Sequence, residues 1–215
     1  MFKLLGEIIL DFLSPKFCCG CQKMDTYLCP ACYNTCDFIS LPLQLENADE
    51  ALESLHAVTY YDGVIKEMIH TCKYESVRGV CECLGDFLYY ATDFQNIDLI
   101  TAVPLHKKRL AERGFNQAEV VAEKYAERMQ LPFERILERT VYTTPQASIT
   151  ERQERQQNIT GCFSLLTEAE IEIRNKNILI IDDVTTTGAT LAECAKVLRA
   201  AGAARVSGLV ISHGN

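Results

Sequence analysis

The stretch Ile178–Cys194, ILIIDDVTTTGATLAEC, places two adjacent carboxylates, Asp182 and Asp183, between an apolar run and a threonine-rich loop around one glycine. Ile178–Ile181 is wholly apolar, as expected of a central strand covered on both faces. Asp182 and Asp183 then fall at the C-terminal end of that strand, where open α/β sheets hold their ligands. The loop Thr185, Thr186, Thr187, Gly188, Ala189, Thr190 feeds straight into a helix expected to start near Leu191. A helix N-terminus presents unpaired backbone N–H groups and a partial positive charge, which favour phosphate. Gly188 lets the backbone come close, and the threonines add hydroxyl donors. Two carboxylates beside a phosphate nest would repel that phosphate unless they serve another part of the ligand. Paired ribose hydroxyls, which donate to carboxylates, fit that part, so the loop suits a ribose 5-phosphate. An ordinary helix cap needs one Thr or Asp rather than six polar residues. The other phosphate motifs fit worse: there is no G-x-x-x-x-G-K-[ST] and no G-x-G-x-x-G after a strand. Val184 stands where a D-x-D nucleophile motif would carry its second aspartate.

A second group of reactive side chains lies near the N-terminus, where CCGC is followed by CPAC. Cys18 and Cys21 form one C-x2-C pair and Cys29 and Cys32 the other. Four thiolates in this spacing suit one tetrahedral Zn2+. A segment of about 40 residues buries too little apolar surface to fold alone, which gives a structural metal a reason to be there. Cys19 and Cys36 remain alternative ligands. Cys72, Cys81, Cys83, Cys162 and Cys194 read as small core residues on helices or strands.

The elements that must position these groups follow from the rest of the chain. Its 215 residues are 48% hydrophobic and 23% charged, the composition of a globular protein with one main domain and room for a small module. The formal net charge of -8 repels nucleic acid and anionic membranes at long range, so any phosphate binding needs a local basic patch. No run approaches the roughly 20 apolar residues that cross a bilayer. Glu7 and Asp11 interrupt the N-terminal apolar stretch and no small-residue cleavage site follows, while Phe2, Leu5, Ile9 and Phe12 give the stripe of a docked helix. Without an export signal a reducing cytoplasm is expected, so the 11 cysteines point to thiols or metal before disulfides.

Leu41–Leu52 reads as an acidic connector. Beyond it, strands are expected at HAVTYY, IDLITAVP, NILIID and RVSGLVIS, and helices at VRGVCECLGDFLYYA, NQAEVVAEKYAERMQ and TLAECAKVLRAAGA. In the second of these helices Ala118, Val121, Ala122, Tyr125 and Met129 share a face. Strands and helices taking turns are the signature of an α/β domain around a parallel sheet.

IDDVTTTGAT resembles the phosphoribosyl-diphosphate motif of type I phosphoribosyltransferases. Together with VPLHKKRLAERGFNQAEVVA, TPQASITERQERQQNITGCF and the cysteine pairs, it resembles the competence protein F family (ComF, which includes GntX-like proteins), from Pro15 to Gly208. The resemblance implies a type I phosphoribosyltransferase-like parallel sheet flanked by helices over 46–215. A helix and a zinc-ribbon-like cysteine module would occupy 1–45. It implies that the loop after Ile100–Val103 binds the pyrophosphate, with Lys107, Lys108, Arg109 and Arg113 supplying positive charge. Thr143–Asn158 would be a lid over the diphosphate, with Gln146, Arg152 and Asn158 at recurrent positions. Lys73 and Tyr74, in the TCKYES turn, also match a family motif, without an independent chemical role.

If the protein is catalytic, the ribosyl C1 passes from pyrophosphate to a nitrogen nucleophile, with Mg2+ accompanying phosphoribosyl diphosphate. Asp182 and Asp183 would then hold the ribose hydroxyls, and Asp183 is the candidate general base. The resemblance implies an accessory role in DNA uptake and natural transformation, acting on imported single-stranded DNA beside DNA-uptake helicase or recombination proteins. A working transferase in nucleotide salvage and a non-catalytic sensor of phosphoribosyl diphosphate are the alternatives.

Overall fold

The computed structural model describes residues 15–40, 42–43, 50–142, 159–166 and 173–214. The expected N-terminal helix, most of the acidic connector and the expected lid with Gln146, Arg152 and Asn158 lie outside the described residues.

Four parallel strands form the central sheet: β1 (Ser54–Tyr60), β2 (Leu99–Ala102), β5 (Asn177–Thr185) and β6 (Arg205–His213), in the order β1-β6-β5-β2. The two longest lie in the middle, where Ile178–Ile181 and Val206, Leu209, Val210 and Ile211 are fully buried. A continuous apolar run survives there because both faces are covered. A one-turn helix, α1 (Pro30–Tyr33), lies in the cysteine segment; on one face of the sheet pack α2 (Gly63–His70), α3 (Arg78–Ala91) and α5 (Gln117–Met129), meeting Leu179, Ile181, Leu209 and Ile211. On the other face pack α6 (Ala189–Ala200) and a two-stranded antiparallel ribbon of β3 (Leu137–Arg139) and β4 (Phe163–Leu165), against Ile178, Ile180, Val206 and Val210. The alternation of strand side chains assigns these residues to the two cores.

Both edges of the sheet are covered, which removes a template for aggregation. Along β1 runs the segment after the cysteines, with Ile39 N–H donating to Val58 C=O at 2.9 Å and Leu43 N–H to Leu55 C=O at 2.8 Å. Along β2 runs the chain leaving α5, where Ile100 N–H donates to Pro132 C=O and Glu134 N–H to Ile100 C=O, each at 3.0 Å.

All four strands and all three helices expected beyond the connector are present. The sequence reading missed α2 and the ribbon. The helix α2 is only two turns long and is capped by Asp62, whose carboxylate accepts from Gly63 N–H at 2.7 Å. β3 and β4 are three residues each, too short to show a period.

Two segments expected as turn or loop are helical. PLHKKRLAERGFNQ contains α4 (Lys107–Arg113), in which the long straight side chains favour helix, His106 caps the start and Gly114 ends it at φ +81°. TCKYES is a single π-helical turn, Thr71–Glu75, continuing α2 and closed by Ser76 in the left-handed region.

The crossing of α3 over α5 depends on Gly85. A Cβ there would lie 2.6 Å from Lys124 Cβ and 2.8 Å from the Val121 carbonyl oxygen. Since a backbone atom cannot swing away, Gly85→Ala is expected to cost about 1–3 kcal/mol of overpacking, read as a lower midpoint in urea unfolding.

Candidate functional site

Strand β2 stops opposite Ile181, since Ala102 pairs with Ile181 in the last step of that ladder. β5 continues alone on that side, held only by β6 through Asp182↔Val210, Val184↔Ser212 and Thr185↔His213. The strand thus extends three residues beyond the expected NILIID, and the two carboxylates sit within its overhang rather than past its end. The space above β2 is the crevice in which an open α/β sheet binds ligands.

Adjacent residues of a strand face opposite ways, and the acids follow that rule. Asp183 meets Lys73 Nζ at 2.8 Å, in an ion pair whose side chains are only 15% and 21% exposed. Lys73 comes from the π-helical turn, on the face carrying α2, α3 and α5. Burial works against the Lys73 ammonium, yet the Asp183 carboxylate outweighs it and raises its pKa. Asp182 lies towards the ribbon and α6, near Arg139 and Cys194. It accepts a hydrogen bond from Asp183 N–H at 2.8 Å. Burial, and then the neighbouring Asp183 carboxylate, push its pKa up to about 7, while the Asp183 N–H, Lys73 and Arg139 pull the other way.

The threonine loop closes on itself. Thr185 Oγ1 accepts from Gly188 N–H at 3.0 Å and Thr187 Oγ1 from Ala189 N–H at 3.4 Å. Gly188 caps α6 with φ +78°, a conformation that favours glycine. The helix therefore begins at Ala189, two residues before the expected start. Two of the expected phosphate-facing N–H groups are held by loop hydroxyls, each of which still carries one O–H donor of its own. Gly214 N–H donates to Thr185 C=O at 2.8 Å and ties the loop to the end of β6.

The basic residues sit on α4, directly after β2. Asn116 fixes this segment from below: its side-chain amide donates to Val103 C=O at 2.9 Å and its oxygen caps α5 by accepting from Ala118 N–H at 3.1 Å. Lys107 and Lys108 are exposed, and Arg109 and Arg113 are half-buried. Lys108 and Arg109 lie over the Tyr142 ring at 5.0 and 5.7 Å. Arg113 donates to Gln117 Oε1 at 2.9 Å and lies 5.8 Å from the Tyr74 ring centre. His106 Nδ1 accepts from Lys108 N–H at 3.2 Å, which requires a neutral ring. Burial and then the cations around it lower its pKa accordingly.

Two residues outside the expected set join the site. Arg139 on β3 is close enough to Asp182 and to Arg109 for both to influence its charge, so it bridges the acidic and basic groups electrostatically. A single arginine in a three-residue strand carries no sequence signal. Lys73 was noticed, but its role rests on a contact with a residue 110 positions away.

The cysteine cluster forms as expected. One ligand atom each from Cys18, Cys21, Cys29 and Cys32 lie within 4.8 Å of one another. Four thiolates around one ion with bonds of roughly 2.3 Å would stand about 3.8 Å apart, so the set needs little rearrangement to hold a metal. Backbone amides already solvate the sulfurs, with Cys29 N–H donating to Cys18 Sγ at 3.4 Å and Cys32 N–H to Cys29 Sγ at 3.5 Å. Burial raises the Cys18 pKa, but the backbone amides of Cys21, Cys29 and Gly20 prevail and bring it down to about 6. Cys19 and Cys36 stand outside the set. Burial pushes Cys19 up to about 11 beside Thr71, and Cys36 donates to Cys32 C=O at 3.7 Å. Cys72, Cys81, Cys162 and Cys194 are buried and Cys83 is half-buried.

Residues 116–213 match the phosphoribosyl transferase domain family. DNA utilization protein YhgH of Escherichia coli K12 is 28% identical over 198 residues, covering 88% of this chain and 85% of that protein. Competence protein F of Haemophilus influenzae is 25% identical over 86% of this chain and 85% of its own length. Competence protein ComFC of Bacillus subtilis is 27% identical over 91% and 83%. The chain is thus similar to the competence F and DNA utilization proteins over most of its length, and its C-terminal part matches the phosphoribosyl transferase domain. Among solved structures, the glutamine phosphoribosylpyrophosphate amidotransferase of B. subtilis is similar at 22% identity and a TM-score of 0.43, over 62% of this chain and 26% of that one. An adenine phosphoribosyltransferase of Thermoanaerobacter pseudethanolicus is similar at 14% identity and a TM-score of 0.42, over 66% and 83%. The acidic pair, the threonine loop and α6 all lie inside the matched domain, whereas α4, Lys73 and the cysteine cluster precede it. Among the described residues no helix is long and apolar enough to cross a membrane.

The raised pKa of Asp182 has a consequence for stability. The folded chain binds this proton more tightly than the unfolded chain, so stability from this group falls as pH rises from about 4 towards 7 and then levels off. Asp182→Asn keeps the acceptor for Asp183 N–H and removes the penalty. Its Tm is expected to exceed that of the unmutated protein at pH 8, with the gap shrinking at pH 5, in thermal scans at both values.

Proposed function

We propose that the domain binds phosphoribosyl diphosphate with Mg2+ at the overhang of β5, and that the protein serves in the cytoplasm as an accessory factor in DNA uptake, acting on imported single-stranded DNA. The observation carrying this reading is the single-edged overhang, which sets two differently compensated carboxylates beside a threonine loop at a helix N-terminus. In this reading Asp182 and Asp183 accept the ribose hydroxyls. Thr185, Thr186, Thr187, Gly188, Ala189 and Thr190 surround the 5-phosphate. Lys107, Lys108, Arg109 and Arg113 face the diphosphate, with Arg139 as a further cation and Arg152, from the segment of the expected lid, as another. Arginine suits that task because its planar fork pairs with phosphate oxygens two at a time. Mg2+ would arrive with the ligand and neutralise charge on the departing pyrophosphate.

The names of the relatives, DNA utilization and competence proteins, support the place in DNA uptake. A second reading, turnover as a transferase in nucleotide salvage, is favoured by the intact acidic pair, with Asp183 paired to Lys73 at 2.8 Å. In that reaction the bond from C1 to the pyrophosphate oxygen breaks, a bond from C1 to a nitrogen forms, and Asp183 takes the proton that the nitrogen gives up. A non-catalytic sensor would use the same site without the last step.

The proposed division is a metal module over 1–45 and the transferase-like domain over 46–215. Cys18, Cys21, Cys29 and Cys32 are proposed to bind Zn2+ as a structural ion, in place of a hydrophobic core.

Calorimetric titration of the protein with phosphoribosyl diphosphate and Mg2+ is expected to give saturable heat, and Asp182→Ala with Asp183→Ala is expected to abolish it. A flat titration of the unmutated protein sinks the binding reading. Protein purified under reducing conditions is expected to contain about one zinc per chain by elemental analysis, and Cys18→Ser with Cys29→Ser to contain almost none. A zinc content near zero in the unmutated protein removes the structural-ion reading.

A further inference from the structure

Lys73 reaches the acidic pair from a place that an ordinary helix would not provide. A π-helical turn bonds i to i+5, carries extra residues per turn and so re-aims the side chains that follow it. Here it spans Thr71–Glu75 between α2 and α3 and sends Lys73 into the crevice, while Tyr74 on the same turn is 67% exposed. The turn is braced at its end. Ser76, at φ +56°, donates from its hydroxyl to Arg113 C=O at 3.1 Å, the last residue of α4. The Arg113 guanidinium lies 5.8 Å from the Tyr74 ring. One turn therefore touches both the end of the basic helix and the acid on β5.

We propose that Lys73 is a positioning residue of the sugar-phosphate site: it occupies one oxygen of Asp183, leaves the other to accept a sugar hydroxyl, and holds a cation against the acidic pair. The inference rests on the sugar-phosphate reading above and adds to it a residue outside the matched domain. Two half-buried carboxylates next to an arriving diphosphate would either repel it or take up protons, and a protonated acid accepts poorly. A fixed ammonium at 2.8 Å opposes both outcomes at once. The pair is largely shielded from water, so salt screens it less than a surface ion pair.

The groups that share the electrostatics of the acids are few. Tyr61, after β1, is near Lys73 and Asp183. Cys72 on the π-helical turn faces Asp183, and Arg113 of α4 faces Lys73. Arg139 of β3 and Cys194 of α6 face Asp182, with Glu193 beside Cys194. Of these, only Lys73 is a cation in contact with Asp183 among the described residues.

The test compares Lys73→Met and Lys73→Arg with the unmutated protein. With phosphoribosyl diphosphate and Mg2+, Lys73→Met is expected to weaken binding about tenfold or more, as loss of one member of a shielded charge pair does. Lys73→Arg, which keeps the charge, is expected to restore most of the loss. Binding needs ionised acids, so affinity rises with pH through their titration. Removing the cation makes the acids hold protons to higher pH, and the midpoint of that rise moves upward in Lys73→Met but not in Lys73→Arg. A merely structural lysine would lower affinity equally at all pH values. Affinity unchanged or increased in Lys73→Met overturns the proposal.

A second measurement separates this proposal from the reading beneath it. The aspartate carboxyl carbons are followed by NMR against pH in the free protein. An upward shift of the acid-pair midpoint in Lys73→Met, in a protein that does not bind phosphoribosyl diphosphate, keeps the charge-setting role and discards the ligand. An unmoved midpoint overturns the role whatever the ligand does. If Lys73→Met fails to fold, Lys73→Gln, which retains a hydrogen-bond donor without charge, takes its place in both measurements with the same expected directions.

Discussion

Two consecutive carboxylates on a strand are driven to opposite faces of the sheet, and each must find its own compensation there. That constraint organises the site. Asp183 draws Lys73 from the π-helical turn on one face. Asp182 takes the Asp183 amide and lies in the field of Arg139 from the ribbon on the other. Apart from the Asp183 amide, the compensation comes from outside β5 and β2, because β2 has already ended and the open side of β5 offers no cross-strand side chain. The π-helical turn and β3 matter beyond their size for this reason. The first brings the cation for one acid and the second brings the cation for the other.

The cysteine cluster stands where a hydrophobic core would be too small to form. It packs directly against α2: a Cβ at Gly20 would lie 2.8 Å from Cys32 Sγ and 3.1 Å from Val64 on that helix. Cys19, left out of the four-thiol set, faces Thr71 at the start of the π-helical turn. The segment that follows the cluster then covers the β1 edge. The module and the acid site are thus joined through packed elements rather than by a free linker, and the short path between them runs through the turn that carries Lys73.

Charge is distributed with the same economy. The chain carries a formal net charge of -8, yet four basic side chains are gathered on α4 within seven residues, with Arg139 between them and Asp182. An extended polyanion would meet an acidic surface outside this patch. In the proposed reading the α4 cations meet the diphosphate, the carboxylates meet the hydroxyls, and the helix N-terminus meets the 5-phosphate. That arrangement underlies the proposed preference for a phosphoribosyl ligand, while the proposed role beside DNA rests on the similarity to competence proteins.

The apolar run Ile178–Ile181, the acids after it and the threonine loop before α6 were legible in the sequence because their signals are local: hydrophobicity, adjacency and a glycine where a turn needs one. The two C-x2-C pairs were legible for the same reason, and with them the parallel α/β character of the domain, which follows from alternating strand and helix periods. The tertiary structure alone decided how far β5 runs, since a strand ends where its partners end and β6 extends past β2. It also decided that Lys107–Arg113 is helical, through a histidine cap and a left-handed glycine that flank a segment read for its charge. Above all it decided the partners of the acids. Lys73 contacts Asp183, and Arg139 comes into the field of Asp182, from elements far along the chain, and no pattern of neighbouring residues records such an approach.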